Sequence, residues 1–146
     1  ECGIKFLIVK HFRGAPVQGV IKKNDDGTLS LIMTTRYKFA DVFWFTFFHE
    51  IGHIINEDIE DKLIDYDFLK NDVEGKADEY AANILIKAEI YEYFVKRGDY
   101  SLPNIKRFCA EQEIPPYILI GRLQREKHLE YHQYSAEKVK YEYIFA

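Results

Sequence analysis

The chain has 146 residues, of which 47% are hydrophobic and 16% aromatic, and it carries a formal net charge of −4. That suits one domain with a single core and supports a folded globule. Basic residues form no stripe along the sequence, so direct nucleic-acid binding by this segment is not expected.

Gly3 to Val9 is apolar and β-branched and reads as a first strand. Gly14, Pro16 and Gly19 punctuate the link to a second strand near Val20-Ile21-Lys22. Asn24-Asp25-Asp26-Gly27 is a turn, and Leu29 to Thr35 gives a third strand. The front of the domain is therefore expected to be a small antiparallel meander. Its strand near Leu31 to Thr34 is the expected edge for an extended peptide.

Helices follow over about 41–56, 72–87, 88–97, 102–111 and 115–127, so the fold class is α+β. Asp41 is the expected N-cap of the first helix. Residues 57–72 form a polar, acid-rich connection, long enough to border a site. Pro115 and Pro116 open the last helix, where proline is tolerated. The tail from Leu129 to Ala146 alternates polar and apolar residues near its end. It suggests a late strand, on the sheet edge or against another copy, which leaves a homodimer open.

The chemistry concentrates in His49-Glu50-Ile51-Gly52-His53. On a helix, residues four apart share one face about 6 Å apart along the axis, so both imidazoles can reach one metal ion. Glu50 is turned about 100° from His49 and can reach a water activated by that metal. The motif lies in a run of Phe, Trp and Ile that is apolar nearly all round, where unpartnered histidines and a glutamate would be costly. Gly52 costs about 1 kcal/mol in a helix interior relative to Ala. It implies either close passage of another backbone or simple packing.

A catalytic zinc site wants three protein ligands and one open position. Among the acidic residues of 72–86, Glu74 and Asp78 lie four apart on one face of the predicted second helix. That suits Glu74 as third ligand and Asp78 as acceptor for a ligating histidine's other N–H. The bland alternative is a solvated first turn, where negative charge complements the helix dipole. Tyr37, Tyr117, His128 and His132 could each stabilise an oxyanion, and the sequence does not choose among them.

The run Phe43 to His53, followed by Glu74-x-x-Ala77-Asp78-x-Tyr80-Ala81-Ala82, resembles the ImmA/IrrE family of zinc metallopeptidases. Within it, the chain is most similar to the peptidase-like half of bacterial and phage regulators fused to a helix-turn-helix domain. Similarity extends from about Phe6 to Leu123, and the chain departs from the common pattern at Asn56 and Lys87. The resemblance implies a zincin-like fold in which one Zn2+ per chain is held by His49, His53 and Glu74, with Glu50 as general base. It further implies an endopeptidase acting on a specific repressor or antitoxin-type regulator. The alternatives are a non-cleaving metal-binding sensor of a transcriptional regulator and a structural zinc module, the latter having no use for Glu50.

Cys2 and Cys109 match no paired-thiol metal spacing, and free thiols in a reducing cytoplasm are expected. No stretch reads as a signal peptide or a membrane span, so a cytoplasmic setting without membrane contact is expected. Residues 1–146 read as a single metallopeptidase-like domain. Because the chain opens at Glu1, it reads as the C-terminal part of a longer regulator, and the resemblance implies a preceding DNA-binding domain.

Overall fold

Three strands and five helices account for the regular structure in a computed structural model that describes residues 3–14, 16–56 and 70–145. The strands are β1 (Ile4–Val9), β2 (Gly19–Lys23) and β3 (Leu29–Thr34). The helices are α1 (Ala40–Ile55), α2 (Lys70–Leu85), α3 (Ala88–Arg97), α4 (Leu102–Glu111) and α5 (Pro116–Arg125). The α+β class stands, and the predicted helix bounds agree within about two residues. The 57–72 connection falls largely outside the described residues, as does Cys2.

The sheet corrects the expected meander. Its order is β1-β3-β2, with β1 parallel and β2 antiparallel to β3. A tight turn joins β2 to β3, where the Gly27 N–H donates to the Asn24 carbonyl at 3.0 Å and Gly27 takes φ +79°. Between β1 and β2 the chain instead runs from Lys10 to Gln18, long enough to leave room for a strand between them. β3 takes that place because it is the most apolar on its inward face, burying Leu31 and Met33 completely. Leu31 to Thr34 is therefore central, and the sheet's edges are β1 and β2.

Helix α1 lies on this sheet. Phe43 joins Leu31 and Met33 in one buried cluster, flanked by Ile4, Ile21, Phe47 and Ile51. The second cluster gathers α3, α4 and α5 around Phe94, Ile105, Leu119 and Leu123. Trp44 packs against both clusters, and its indole N–H donates to the Tyr141 hydroxyl at 2.7 Å. Arg122 fixes the end of α2: its guanidinium donates to the Ala82 and Ile86 carbonyls at 3.2 and 3.0 Å and stacks on Tyr91. The Ala82 carbonyl also accepts from the Ile86 N–H at 2.9 Å, so the guanidinium supplements the last helical bond and holds the chain just past the helix end.

Asp41 is not the N-cap. Phe39 holds that position without a side-chain bond, and Asp41 lies buried in the first turn, paired with Lys138 at 2.6 Å. The tail does the capping with its backbone: the Ala40 N–H donates to the Val139 carbonyl at 2.9 Å, and the Tyr141 N–H to the Lys38 carbonyl at 2.7 Å. The expected late strand reduces to one bridge, Phe39 with Lys140, after a 3-10 turn at Ser135–Glu137. Tyr141 faces Phe43 instead of a sheet edge, with their rings 5.6 Å apart. Among the described residues, no helix is long and apolar enough to cross a membrane.

Candidate metal centre

The site forms where α2 crosses the second half of α1, and a missing side chain sets how closely they approach. A Cβ on Gly52 would stand 3.0 Å from the Ala77 Cα and 3.3 Å from its carbonyl oxygen. The glycine thus answers to a second backbone at van der Waals contact. Ala77 sits three residues beyond Glu74, so this contact carries the Glu74 carboxylate to the two histidines.

Three electron-pair donors converge there. His49 Nε2 lies 3.1 Å from His53 Nε2 and 3.2 Å from Glu74 Oε2, and His53 Nε2 lies 3.6 Å from Glu74 Oε1. A tetrahedral ion with bonds near 2.05 Å would set its ligand atoms about 3.3 Å apart. The two histidine nitrogens stand near that spacing, and one ligand atom from each of the three residues lies within 4.8 Å of the others, so a small shift of the Glu74 carboxylate would complete the set. Asp78 Oδ1 approaches His49 Nδ1 at 2.7 Å, a contact that favours the tautomer with hydrogen on Nδ1. Nε2 then turns its lone pair toward His53 Nε2 and the Glu74 carboxylate, where a shared cation would fit. His49, His53 and Glu74 form the group of described residues able to share a metal.

The electrostatics follow from burial. Desolvation alone would lower the His49 pKa, but the hydrogen bond and charge of Asp78, aided by Glu50 and Glu74, raise it above the ordinary 6.5. Glu50 is only 8% exposed, and burial raises its carboxyl pKa against the opposing pull of His49 and His53. Glu74 and Asp78 stay half open to solvent, at 48% and 58% side-chain exposure. A carboxylate whose pKa is raised by burial beside the donor trio is suited to receiving and returning a proton.

A cleft of about 670 Å³ opens over these groups, with α1 on one wall and Pro16 to Ile21 on the other. Gly19 makes that wall possible, because a Cβ there would stand 2.7 Å from Thr46 Cγ2 and 2.9 Å from Glu50 Oε1. In the sequence Gly19 reads only as punctuation between two strands. Its signal was a glycine opening a β-branched run, which often marks close backbone approach. Phe45 also lines the cleft, with the Arg125 guanidinium stacked 3.5 Å from its ring, a support nothing in the sequence pattern announced.

His49, Glu50, His53 and Glu74 are thus brought together with Asp78. The four oxyanion candidates are not. Among the described residues lining the cleft there is no tyrosine and no further histidine. Tyr37 lies beside Arg36, Tyr117 faces Tyr141, His128 packs on Tyr100, and His132 is exposed. No protein-family model matches the chain, and no curated protein matches it.

Proposed function

We propose that this chain is a zinc-dependent endopeptidase of zincin-like type that cuts one specific protein, such as a repressor or antitoxin-type regulator. The observation that carries the reading is Glu50: a buried carboxylate beside three convergent ligands but not among them. A closed structural site has no role for such a group.

His49, His53 and Glu74 would hold one zinc ion, which would supply Lewis-acid polarisation of the scissile carbonyl and of the attacking water. Glu50 takes the water's proton as the carbonyl is attacked and passes it to the leaving amine. Asp78 keeps His49 in the ligating tautomer. The side of β2 that pairs with no strand among the described residues lies on the cleft wall and offers backbone groups to an extended peptide lying antiparallel to it. That assigns to β2 the role that Leu31 to Thr34 was expected to fill. The specific-regulator substrate and a preceding DNA-binding domain rest on the ImmA/IrrE resemblance alone.

The test compares zinc-loaded wild type with Glu50→Gln on a co-expressed cognate regulator, reading cleavage by mass spectrometry. Cutting by wild type and its loss in the variant, with bound zinc unchanged, is the expected outcome. Equal failure of both would favour a non-cleaving metal sensor. One equivalent of tightly held zinc in His49→Ala would remove the site itself.

A further inference from the structure

We propose that two copies of this chain associate through the outer edge of β1, joining their sheets antiparallel across a two-fold axis near Leu7. The inference is independent of the metal centre.

The backbone comes first. The Gly3 carbonyl accepts from Leu29 N–H at 2.9 Å, and the Val9 carbonyl accepts from Thr35 N–H at 3.1 Å. In a parallel ladder both polar groups of every second residue face the same neighbour. The odd-numbered residues of β1 are therefore engaged by β3, and Ile4, Phe6 and Ile8 turn their N–H and C=O groups outward. Among the described residues no other strand pairs with that edge.

The side chains add the driving force. Phe6 and Leu7 are each 48% exposed, Ile8 and Val9 36%, and nearby Phe12 73%. Scaled by ordinary side-chain areas, these five leave roughly 450 Å² of apolar surface open, at the size where patches on soluble proteins mark contacts. Two copies together would cover roughly 900 Å² before backbone atoms are counted, close to what a specific interface needs. The edge also lacks the usual protections of proline, bulge or free charge. Its one charged residue, Lys5, is paired with Asp26 at 3.0 Å.

Self-complementarity selects a second copy as the occupant. With the axis at Leu7, outward-facing Phe6 and Ile8 backbones exchange hydrogen bonds with Ile8 and Phe6 of the partner. Lys5 falls opposite the partner's Val9, so no two like charges meet. On the inner face Phe6 already rests edge-on against Phe47, at 5.6 Å between centroids, so the aromatic side of the new pair is held in place.

Light scattering behind size exclusion, from about 1 to 100 μM, reads the result directly, over the range typical of modest interfaces. Wild type is expected to approach twice the 17.3 kDa of one chain. Leu7→Lys sets two ammonium groups face to face and is expected to weaken association about tenfold or more. Leu7 faces away from α1, so circular dichroism should find the variant folded. In a Cys2→Ser background, Leu7→Cys is expected to cross-link on oxidation, and Glu92→Cys on exposed α3 is not. Single-chain mass at every concentration would overturn the proposal and leave the edge to a different partner. So would open-ended assemblies, or a dimer that tolerates Leu7→Lys and gives no Leu7→Cys cross-link.

Discussion

Gly52→Ala tests whether helix packing sets the ligand geometry. The new methyl would meet the Ala77 Cα at 3.0 Å, where ordinary contact begins near 3.4 Å. Backbone cannot swing aside as a side-chain tip can, so α2 must retreat by about half an ångström. Two stability effects oppose each other: about 1 kcal/mol gained from helix propensity and about 1–3 kcal/mol lost to overpacking. The net expectation is a loss of roughly 0–2 kcal/mol without metal, read by urea unfolding. The effect on metal should be larger in proportion. Ligand distances tolerate about 0.2 Å, and Glu74 moves with α2. Zinc affinity, read by competition with a chromophoric chelator, should fall about tenfold or more. A variant stabilised by the full propensity gain, with zinc affinity unchanged, would refute the idea that this contact positions Glu74.

Three further outcomes are expected. Asp78→Ala should weaken zinc binding about 10–100-fold by freeing the His49 ring, and equal affinities on calorimetric titration would deny Asp78 that role. Lys138→Met leaves Asp41 buried without its cation and should cost about 3–5 kcal/mol in urea unfolding, while Asp41→Asn combined with it should recover much of the loss. A single-variant loss below about 1 kcal/mol would show that the pair is not desolvated as described. Burial pushes the Cys109 thiol from 9.0 up to about 12. The unfolded chain therefore releases that proton first, and stability should fall as pH rises from about 9 toward 12. In a Cys2→Ser background, Cys109→Ala should make that slope shallower, leaving the share of Tyr91, Tyr117 and Tyr143, whose hydroxyls burial also pushes up. The same background should resist thiol reagents at pH 8 until unfolded, and prompt labelling would contradict the burial.

What the sequence made legible was periodic. His49 and His53 at four-residue spacing share a face wherever the helix goes, and Glu74 with Asp78 repeats the logic on the second helix. Strand order was not legible, because Lys10 to Gln18 carries no signal saying whether β2 will neighbour β1 or leave a gap. Asp41 misled for a related reason. Its capping propensity is local, whereas its partner Lys138 is distant in sequence and captures the carboxylate only once the tail folds back. Gly19 and Gly52 were visible as glycines, but what they approach, Glu50 and Ala77, belongs to tertiary structure. The tail's alternation predicted a strand because alternation cannot distinguish a ladder from an extended segment whose Tyr141 packs beneath Trp44.

The single tryptophan of the chain stands on α1 where the sheet cluster and the helical cluster meet, with its indole tethered to Tyr141. Its fluorescence is consequently an intrinsic gauge of whether the two halves remain docked. Loosening of either half, or release of the C-terminal segment alone, would alter its surroundings. Because the same helix bears His49 and His53 about one and a half and two and a half turns further on, a perturbation that reddens the emission would be expected to slacken the ligand cluster as well.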